Sequence, residues 1–138
     1  MSKTLEIIIK NCQLSGEKNS PYCISEFEHR LGIIFPTEYR NLLEVSNGAY
    51  GNIGEEYIDF WSIEEVEDFE SDIGEESLNG LLPFASNGCG MAYAFNKNSK
   101  GVWLIPMDSL TFESSKKCSE SFGGFILRLN NGESINYR

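Results

Sequence analysis

Residues 24–40 read ISEFEHRLGIIFPTEYR, and this stretch decides how the first half of the chain is organised. Its early apolar residues have the spacing of one helical face, at Ile24, Phe27 and Leu31. Ser20 can cap that helix and Pro21 fits its first position. Gly32 can end it, because glycine readily adopts the left-handed conformation found at helix ends. Pro36 biases Phe35 away from helical geometry. The stretch therefore predicts one helix that ends near Gly32, a short extended link, and a further helix.

Helical and strand signals follow one another in blocks along the rest of the chain. Residues 4–14 carry apolar side chains at helical spacing, and so do residues 120–129. Ser62 and Glu65 form a capping box that opens a short acidic helix through about Phe69. Turn residues at 86–90 separate strand candidates that read as an antiparallel meander. β-branched and aromatic residues mark the strand candidates, at residues 57–61, 81–85, 91–95 and 102–105.

The order of the elements, helices then strands then a helix, predicts an α+β fold. We expect a single domain over residues 1–138, with a mainly antiparallel, twisted sheet of about four to six strands and helices packed against it. Trp61 and Trp103 lie in apolar strand runs, which favours core packing over a role as interface anchors. Periodicity predicts one core, formed by Phe27, Leu31, Leu42, Leu43, Phe84, Phe95, Trp103, Phe122 and Ile126.

The order and spacing of these motifs resemble the SUKH superfamily, whose members have a Smi/Knr-type domain. In that family a helix ends in an E-x-x-L-G pattern and an apolar-Pro step leads into the next helix. The matching residues here are Glu28, Leu31, Gly32, Pro36 and Tyr39. Residues 82–85 with Gly88 and Gly90 resemble the family's strand and glycine turn, and residues 102–103 and 121–127 also match. The likeness extends over roughly residues 20–130.

The resemblance implies a binding module without catalytic activity. Bacterial members act as immunity proteins that bind and neutralise toxins, often nucleases or deaminases, and fungal members regulate cell-wall synthesis. An immunity protein of a polymorphic toxin system is therefore the first expectation. A regulatory scaffold with an endogenous protein partner is the alternative. The sequence does not indicate an oligomeric state.

The sequence carries few residues for catalysis or for metal binding. His29 is the only histidine, it lies off the apolar stripe of its helix, and no cysteine stands at metal-ligand spacing from it. Residues 86–90 have glycines but lack the lysine of a phosphate-binding loop, so they read as a hairpin turn. We therefore expect no enzyme, no catalytic residue, no cofactor and no metal site.

The four cysteines and the hydropathy pattern predict a cytoplasmic location. None of the cysteines forms a C-x-x-C pair, so four reduced and mostly buried thiols are expected, with disulfides or a metal as alternatives. Those cysteines are Cys12, Cys23, Cys89 and Cys118. No apolar run reaches the length of about 20 residues of a membrane span, and the first residues lack the pattern of a signal peptide.

Charge is the strongest functional signal in the sequence. The formal net charge is −10, which argues against binding to nucleic acid or to an anionic membrane. No Lys or Arg occurs between Arg40 and Lys97. Eleven of the 21 acidic residues lie within residues 55–76: Glu55, Glu56, Asp59, Glu64, Glu65, Glu67, Asp68, Glu70, Asp72, Glu75 and Glu76. We expect this segment on one side of the domain, either as the docking surface for a basic toxin domain or as a solvated face.

Overall fold

Five α-helices and seven strands lie within residues 2–73 and 78–133, the parts of the chain that the computed structural model describes. The helices are α1 (Lys3–Asn11), α2 (Pro21–Leu31), α3 (Thr37–Val45), α4 (Ile63–Ile73) and α5 (Phe122–Asn130). The strands are β1 (Cys12–Leu14), β2 (Ala49–Ile53), β3 (Glu56–Phe60), β4 (Leu81–Ser86), β5 (Met91–Asn96), β6 (Ser99–Pro106) and β7 (Lys116–Ser119). The predicted α+β class is confirmed.

The strands form one antiparallel sheet in chain order, so each strand lies beside its neighbours in sequence. The sheet has seven strands rather than the about four to six that the sequence predicts. The additional strands β1, β2 and β7 have three to five residues each, and their composition is weak in strand formers. Pairing with a neighbouring strand, and not local preference, makes these segments extended.

The first helix shows how pairing overrides periodicity. Cys12 continues the apolar spacing of α1, yet its backbone is extended, with φ −119° and ψ 147°. Cys12 pairs with Gly51 of β2. A Cβ atom on Gly51 would lie 2.4 Å from the carbonyl oxygen of Asn11, so only glycine permits this close approach. The helix predicted over residues 4–14 therefore ends at Asn11, and its last residues form β1.

The link between α2 and α3 is fixed by one carboxylate. Gly32 ends α2 with φ 70°, the left-handed conformation that the sequence predicts. Glu28 Oε2 accepts a hydrogen bond from the Phe35 backbone N–H at 2.7 Å, and Glu28 Oε1 lies 3.6 Å from Arg40 Nε. The Phe35 ring then packs against Tyr39, with ring centroids 4.9 Å apart. These contacts give the E-x-x-L-G and apolar-Pro positions a structural role.

The core lies mainly between the sheet and helices α1, α3 and α5, which contact one another. Its centre is aromatic. The rings of Phe84 and Phe95, on adjacent strands, are stacked at 4.0 Å, and Tyr39 and Phe122 pack edgewise against them. All nine predicted core residues are buried in one cluster, and both tryptophans are buried as well. The predicted core is confirmed.

The two halves of the sheet differ in how they are covered. Strands β4, β5 and β6 are almost continuously buried, which requires cover on both faces. Met107, Leu110 and Phe112, from the segment between β6 and β7, pack against the core as part of this cover. Strands β2 and β3 instead alternate between buried and accessible residues. One face of β2 and β3 is therefore open.

Candidate protein-binding surface

Helix α4 carries six of the eleven acidic residues within residues 55–76, and four of the six contact other groups of the chain. Glu65 completes the predicted capping box: its carboxylate accepts from the Ser62 N–H at 2.9 Å, and Ser62 Oγ accepts from the Glu65 N–H at 3.1 Å. Glu64 accepts a hydrogen bond from Asn47 Nδ2 at 2.8 Å. The chain thus uses these two carboxylates to fix the start of α4.

Two further carboxylates of α4 form ion pairs with distant cations. Glu67 accepts two hydrogen bonds from the Arg30 guanidinium, at 2.6 and 2.9 Å, which joins α4 to the end of α2. Glu70 Oε1 lies 3.0 Å from Lys97 Nζ in the turn between β5 and β6, and both side chains are largely buried. Both residues therefore position α4 on the fold, and their charges are neutralised.

A second group of predicted residues faces solvent without such contacts. Glu55 in the β2–β3 turn and Asp68 and Asp72 on α4 are exposed. None of the three side chains has a hydrogen bond or an ion pair with another residue in the ranges 2–73 and 78–133. Glu75 and Glu76 lie outside the described residues.

The last two predicted residues, Glu56 and Asp59, lie on opposite faces of β3. Glu56 shares the helix-covered face with Ile58 and Phe60, because alternate residues of a strand point to the same side. Desolvation, and then the charge of Glu56, raises the pKa of the buried Tyr93. Asp59 lies on the open face, where desolvation and then the charge of Glu65 raise the pKa of its carboxyl group. The acidic segment is therefore not the one-sided surface that we expected.

The open face of β2 and β3 carries residues that the sequence analysis did not select. Tyr50 and Tyr57 are 43% and 38% exposed. The strand register places Gln13, Tyr50, Asp59 and Ser86 in one row across β1 to β4, with Asn52 opposite Tyr57 in the next row. The alternation within residues 49–53 and 56–60 is the sequence signal that would have revealed this face. We call Gln13, Tyr50, Asn52, Tyr57 and Asp59 the open sheet face.

A separate cleft of 740 Å³ lies between the end of α2, the α2–α3 link and the β5–β6 turn. It includes His29, which is exposed as predicted, and Ile34, which is 88% exposed. Its lining residues also include Glu28, Lys97 and Lys100. Glu28 is held by the Phe35 N–H, so it is already committed to the fold.

The thiol groups differ from the expectation in their burial. All four cysteines are free, but Cys23 and Cys89 are exposed, so the prediction of mostly buried thiols is wrong. Both lie at surface positions, one in the first turn of α2 and one in the β4–β5 turn, where no packing covers them. Cys12 and Cys118 are half-buried, and desolvation raises the pKa of each thiol to about 11.

Within residues 2–73 and 78–133, no three His, Cys, Asp or Glu side chains are grouped in a way that could hold a metal ion. None of the helices in those ranges is both long enough and apolar enough to cross a membrane.

Comparison with protein-family models gives one match. The model of the SMI1 / KNR4 family (SUKH-1) matches residues 20–128. The matched range begins at Ser20, which caps α2, and extends into α5. It therefore includes Glu28 with its contacts to Phe35 and Arg40, helix α4, and the open sheet face except for β1. No curated protein matches the chain.

Proposed function

The chain belongs to the SMI1/KNR4 family (SUKH-1), and from this premise we propose that it is a non-catalytic binding protein with a basic protein partner. Membership fits two roles, that of an immunity protein and that of a protein-interaction domain. We favour the first: the chain binds and neutralises a cognate bacterial toxin of the nuclease or deaminase class in the cytoplasm.

The observation that carries the proposal is the set of exposed carboxylates without a partner in the described fold. Glu55, Asp68 and Asp72 add negative charge to a chain whose net charge is already −10. Like charges that remain unpaired repel one another and oppose compactness. Binding to a basic surface relieves this repulsion. A nuclease domain has to be basic to hold phosphates, so an acidic inhibitor complements it and accelerates the encounter.

The second candidate is a regulatory scaffold with an endogenous partner. The same unpaired carboxylates serve that role if the partner is basic, so the surface alone does not separate the two. The identity of the partner does: an immunity protein is expected to bind the product of an adjacent toxin gene, whereas a scaffold is not.

The first test is co-purification with the product of the adjacent open reading frame. We expect a stable complex, and we expect the chain to protect bacteria in which that product is expressed. A product that is toxic on its own but neither binds the chain nor is neutralised by it would contradict the immunity role. Binding without toxicity would favour the scaffold role.

The second test separates the local acidic surface from net charge. The triple variant Glu55→Gln, Asp68→Asn, Asp72→Asn removes three unpaired carboxylates. We expect slower association with the partner, because these charges attract a basic surface during the encounter. We also expect the association rate to depend less on salt, because salt screens such exposed charges over about 8 Å near physiological ionic strength. Glu64, Glu67 and Glu70 are unsuitable, because their contacts stabilise the fold.

The matched control has the same change in net charge at exposed positions outside the acidic segment. It is the triple variant Glu17→Gln, Asp108→Asn, Glu113→Gln. We expect it to retain most of the association rate. If both triple variants slow association equally, overall charge and not the acidic segment steers the partner.

A further inference from the structure

The open sheet face places two exposed aromatic rings around one carboxylate. Tyr50 lies directly opposite Asp59 in the β2–β3 register, and Tyr57 lies two residues before Asp59 on the same strand and face. Tyrosine is enriched at protein interfaces because it combines a large apolar ring with a polar tip. Two of them beside each other on an otherwise polar strand face therefore need a reason other than folding.

The spacing of Tyr50 and Tyr57 across the two strands suits one planar group between their side chains. Tyr50 and Tyr57 are diagonal neighbours across an antiparallel pair, a relation that separates side-chain attachment points by about 7–8 Å. Favourable contact between non-bonded carbon atoms occurs at about 3.5–4.0 Å. A flat group inserted between the rings can thus contact both of them at once.

One of the rings is held in place by the neighbouring turn. Gly88, with φ 73°, lies so close to Tyr57 that a Cβ atom would be 2.9 Å from the ring atom Cδ2. The turn itself is fixed by Asn87 Oδ1, which accepts hydrogen bonds from the backbone N–H groups of Cys89 and Met91 at 2.8 and 3.1 Å. The Tyr57 ring is therefore backed by a structured turn before any partner arrives, which lowers the ordering cost of binding.

The Asp59 carboxylate beside the two rings has no ion pair with a cation in the described part of the chain. Within the described ranges the Asp59 side chain has no hydrogen bond or ion pair, and the charge of Glu65, which acts on it, has the same sign. Desolvation and then the charge of Asp59 raise the pKa of Tyr57, so the two side chains interact electrostatically. A positively charged group from outside would supply the missing counter-charge.

We propose that the open sheet face binds an arginine side chain of the basic partner, with the guanidinium between Tyr50 and Tyr57 and against the Asp59 carboxylate. The inference rests on the proposed function, which supplies a basic protein partner. Arginine fits better than lysine, because its group is planar, stacks on aromatic faces and donates two parallel hydrogen bonds to a carboxylate. The unpaired carboxylates on α4 and in the β2–β3 turn then steer the partner, and this face binds it.

The experiment uses blocked tripeptides as probes, so it does not depend on the identity of the partner. The purified, isotope-labelled full chain is titrated with acetyl-Gly-Arg-Gly-amide and followed by backbone amide NMR. Lysine replaces arginine in a second peptide, which keeps the positive charge but lacks the planar group. Citrulline replaces it in a third, which keeps the plane without the charge. We expect shifts at residues 50, 57, 59 and 86–89, largest for arginine and smallest for citrulline.

Variants assign the site within the chain. Asp59→Asn and Tyr57→Leu are each expected to lower the affinity for the arginine peptide by roughly three- to fivefold. This is the size of effect expected from losing one exposed ion pair or one cation–π contact. Asp68→Asn and Tyr22→Leu are the controls, since they remove an exposed carboxylate and an exposed tyrosine elsewhere. Thermal unfolding of each variant verifies that the fold survives. Equal shifts with all three peptides, or equal losses in the controls, would refute the site.

A final set of measurements distinguishes this inference from the proposed function. If the partner binds and Asp59→Asn with Tyr57→Leu leaves its dissociation rate unchanged, the face is not the contact and only the inference fails. If the peptide binds at this face but no basic partner is found, the proposed function fails and the arginine site stands. Concentration-dependent self-association of the wild-type chain that Tyr57→Leu abolishes would assign the face to a second copy and overturn the inference.

Discussion

The two halves of the sheet are built from strands of similar length, but one half is covered on both faces and the other on only one. Strands β4 to β6 are buried on both faces, and their side chains are chosen for packing. Strands β2 and β3 bury one face against the helices and leave Tyr50, Tyr57 and Asp59 accessible on the other. The difference indicates that stability resides in the covered half, and that the open half is free to carry recognition residues.

The largest expected effect is the loss of stability when a buried ring is removed from the covered half. Phe95→Ala removes a ring that is stacked on Phe84, and we expect the free energy of unfolding to fall by about 3–5 kcal/mol, as for other buried phenylalanines. Tyr50→Ala removes a ring of similar size from the open half, and a loss below about 1 kcal/mol is expected there. Urea unfolding of both variants measures the contrast. Similar losses in the two variants would mean that the open half also supports the core.

A smaller effect is expected where the two halves meet, in the β4–β5 turn. Gly88 and Gly90 both have a positive φ, so alanine at either position is strained by about 1–2 kcal/mol. Only at Gly88 would the added Cβ also press on the Tyr57 ring, whereas nothing lies within 4 Å of one at Gly90. We therefore expect Gly88→Ala to be the more destabilising change in urea unfolding.

The same pair of variants tests the support of Tyr57. Gly88→Ala is expected to weaken the binding of the arginine peptide, since it displaces the ring, and Gly90→Ala is expected to leave the affinity unchanged. Amide NMR titrations give both values. Equal affinities in the two variants would show that the turn does not position Tyr57.

A stabilising change is expected in the covered half. The hydroxyl group of Tyr39 is buried and has no hydrogen-bond partner in the described structure, and desolvation raises its pKa. Because the same group is hydrated in the unfolded chain, Tyr39→Phe should raise the free energy of unfolding, by up to about 1 kcal/mol. Chemical denaturation checks the sign. A clear loss of stability would indicate that the hydroxyl group is satisfied, for example by a buried water.

The smallest effect concerns Asp59 and depends on pH. Its pKa is raised in the folded chain, so the folded state binds more protons than the unfolded state above the ordinary value of 3.8, and stability falls as the pH rises through the folded pKa. Asp59→Asn removes this penalty. At pH 7 the variant should be slightly more stable than the wild type, by less than about 0.5 kcal/mol because the carboxylate is largely screened by solvent.

The pH profile provides the control for this prediction. The advantage of Asp59→Asn should vanish below pH 3.8, where the carboxyl group is protonated in both states. Denaturant midpoints measured from acidic to neutral pH give the comparison. A variant that is less stable than the wild type at pH 7 would mean that Asp59 has a favourable partner within the chain.

Local signals in the sequence were sufficient to predict a helix where capping residues mark its start or its end. Ser20 caps α2, Pro21 opens it and Gly32 ends it in the left-handed conformation, as predicted. The capping box at Ser62 starts α4 as expected, although the helix runs on to Ile73 instead of ending near Phe69. β1 was missed, since its Cys12 fits a helical stripe equally well and only the pairing with β2 makes it extended.

The role of the acidic segment in partner binding stays a prediction, because charge density does not reveal which charges a fold uses. The sequence shows that residues 55–76 are the main concentration of carboxylates. It did not show that Glu67 and Glu70 neutralise Arg30 and Lys97, which are 37 and 27 residues away along the chain. The open sheet face was overlooked for a related reason: its residues lie on three strands, β1 to β3, of which β1 and β2 were not predicted.

By itself the sequence determined the α+β class, the punctuated helices, the aromatic core and the family likeness. All of these depend on periodicity and on short motifs that act within a few residues. Tertiary structure decided the number of strands, the division of the sheet into a covered and an open half, and the sorting of carboxylates into paired and unpaired groups. The physical reason is that hydrogen bonding between strands, burial and ion pairing are properties of residues brought together from distant positions, and the energy of each depends on its partner.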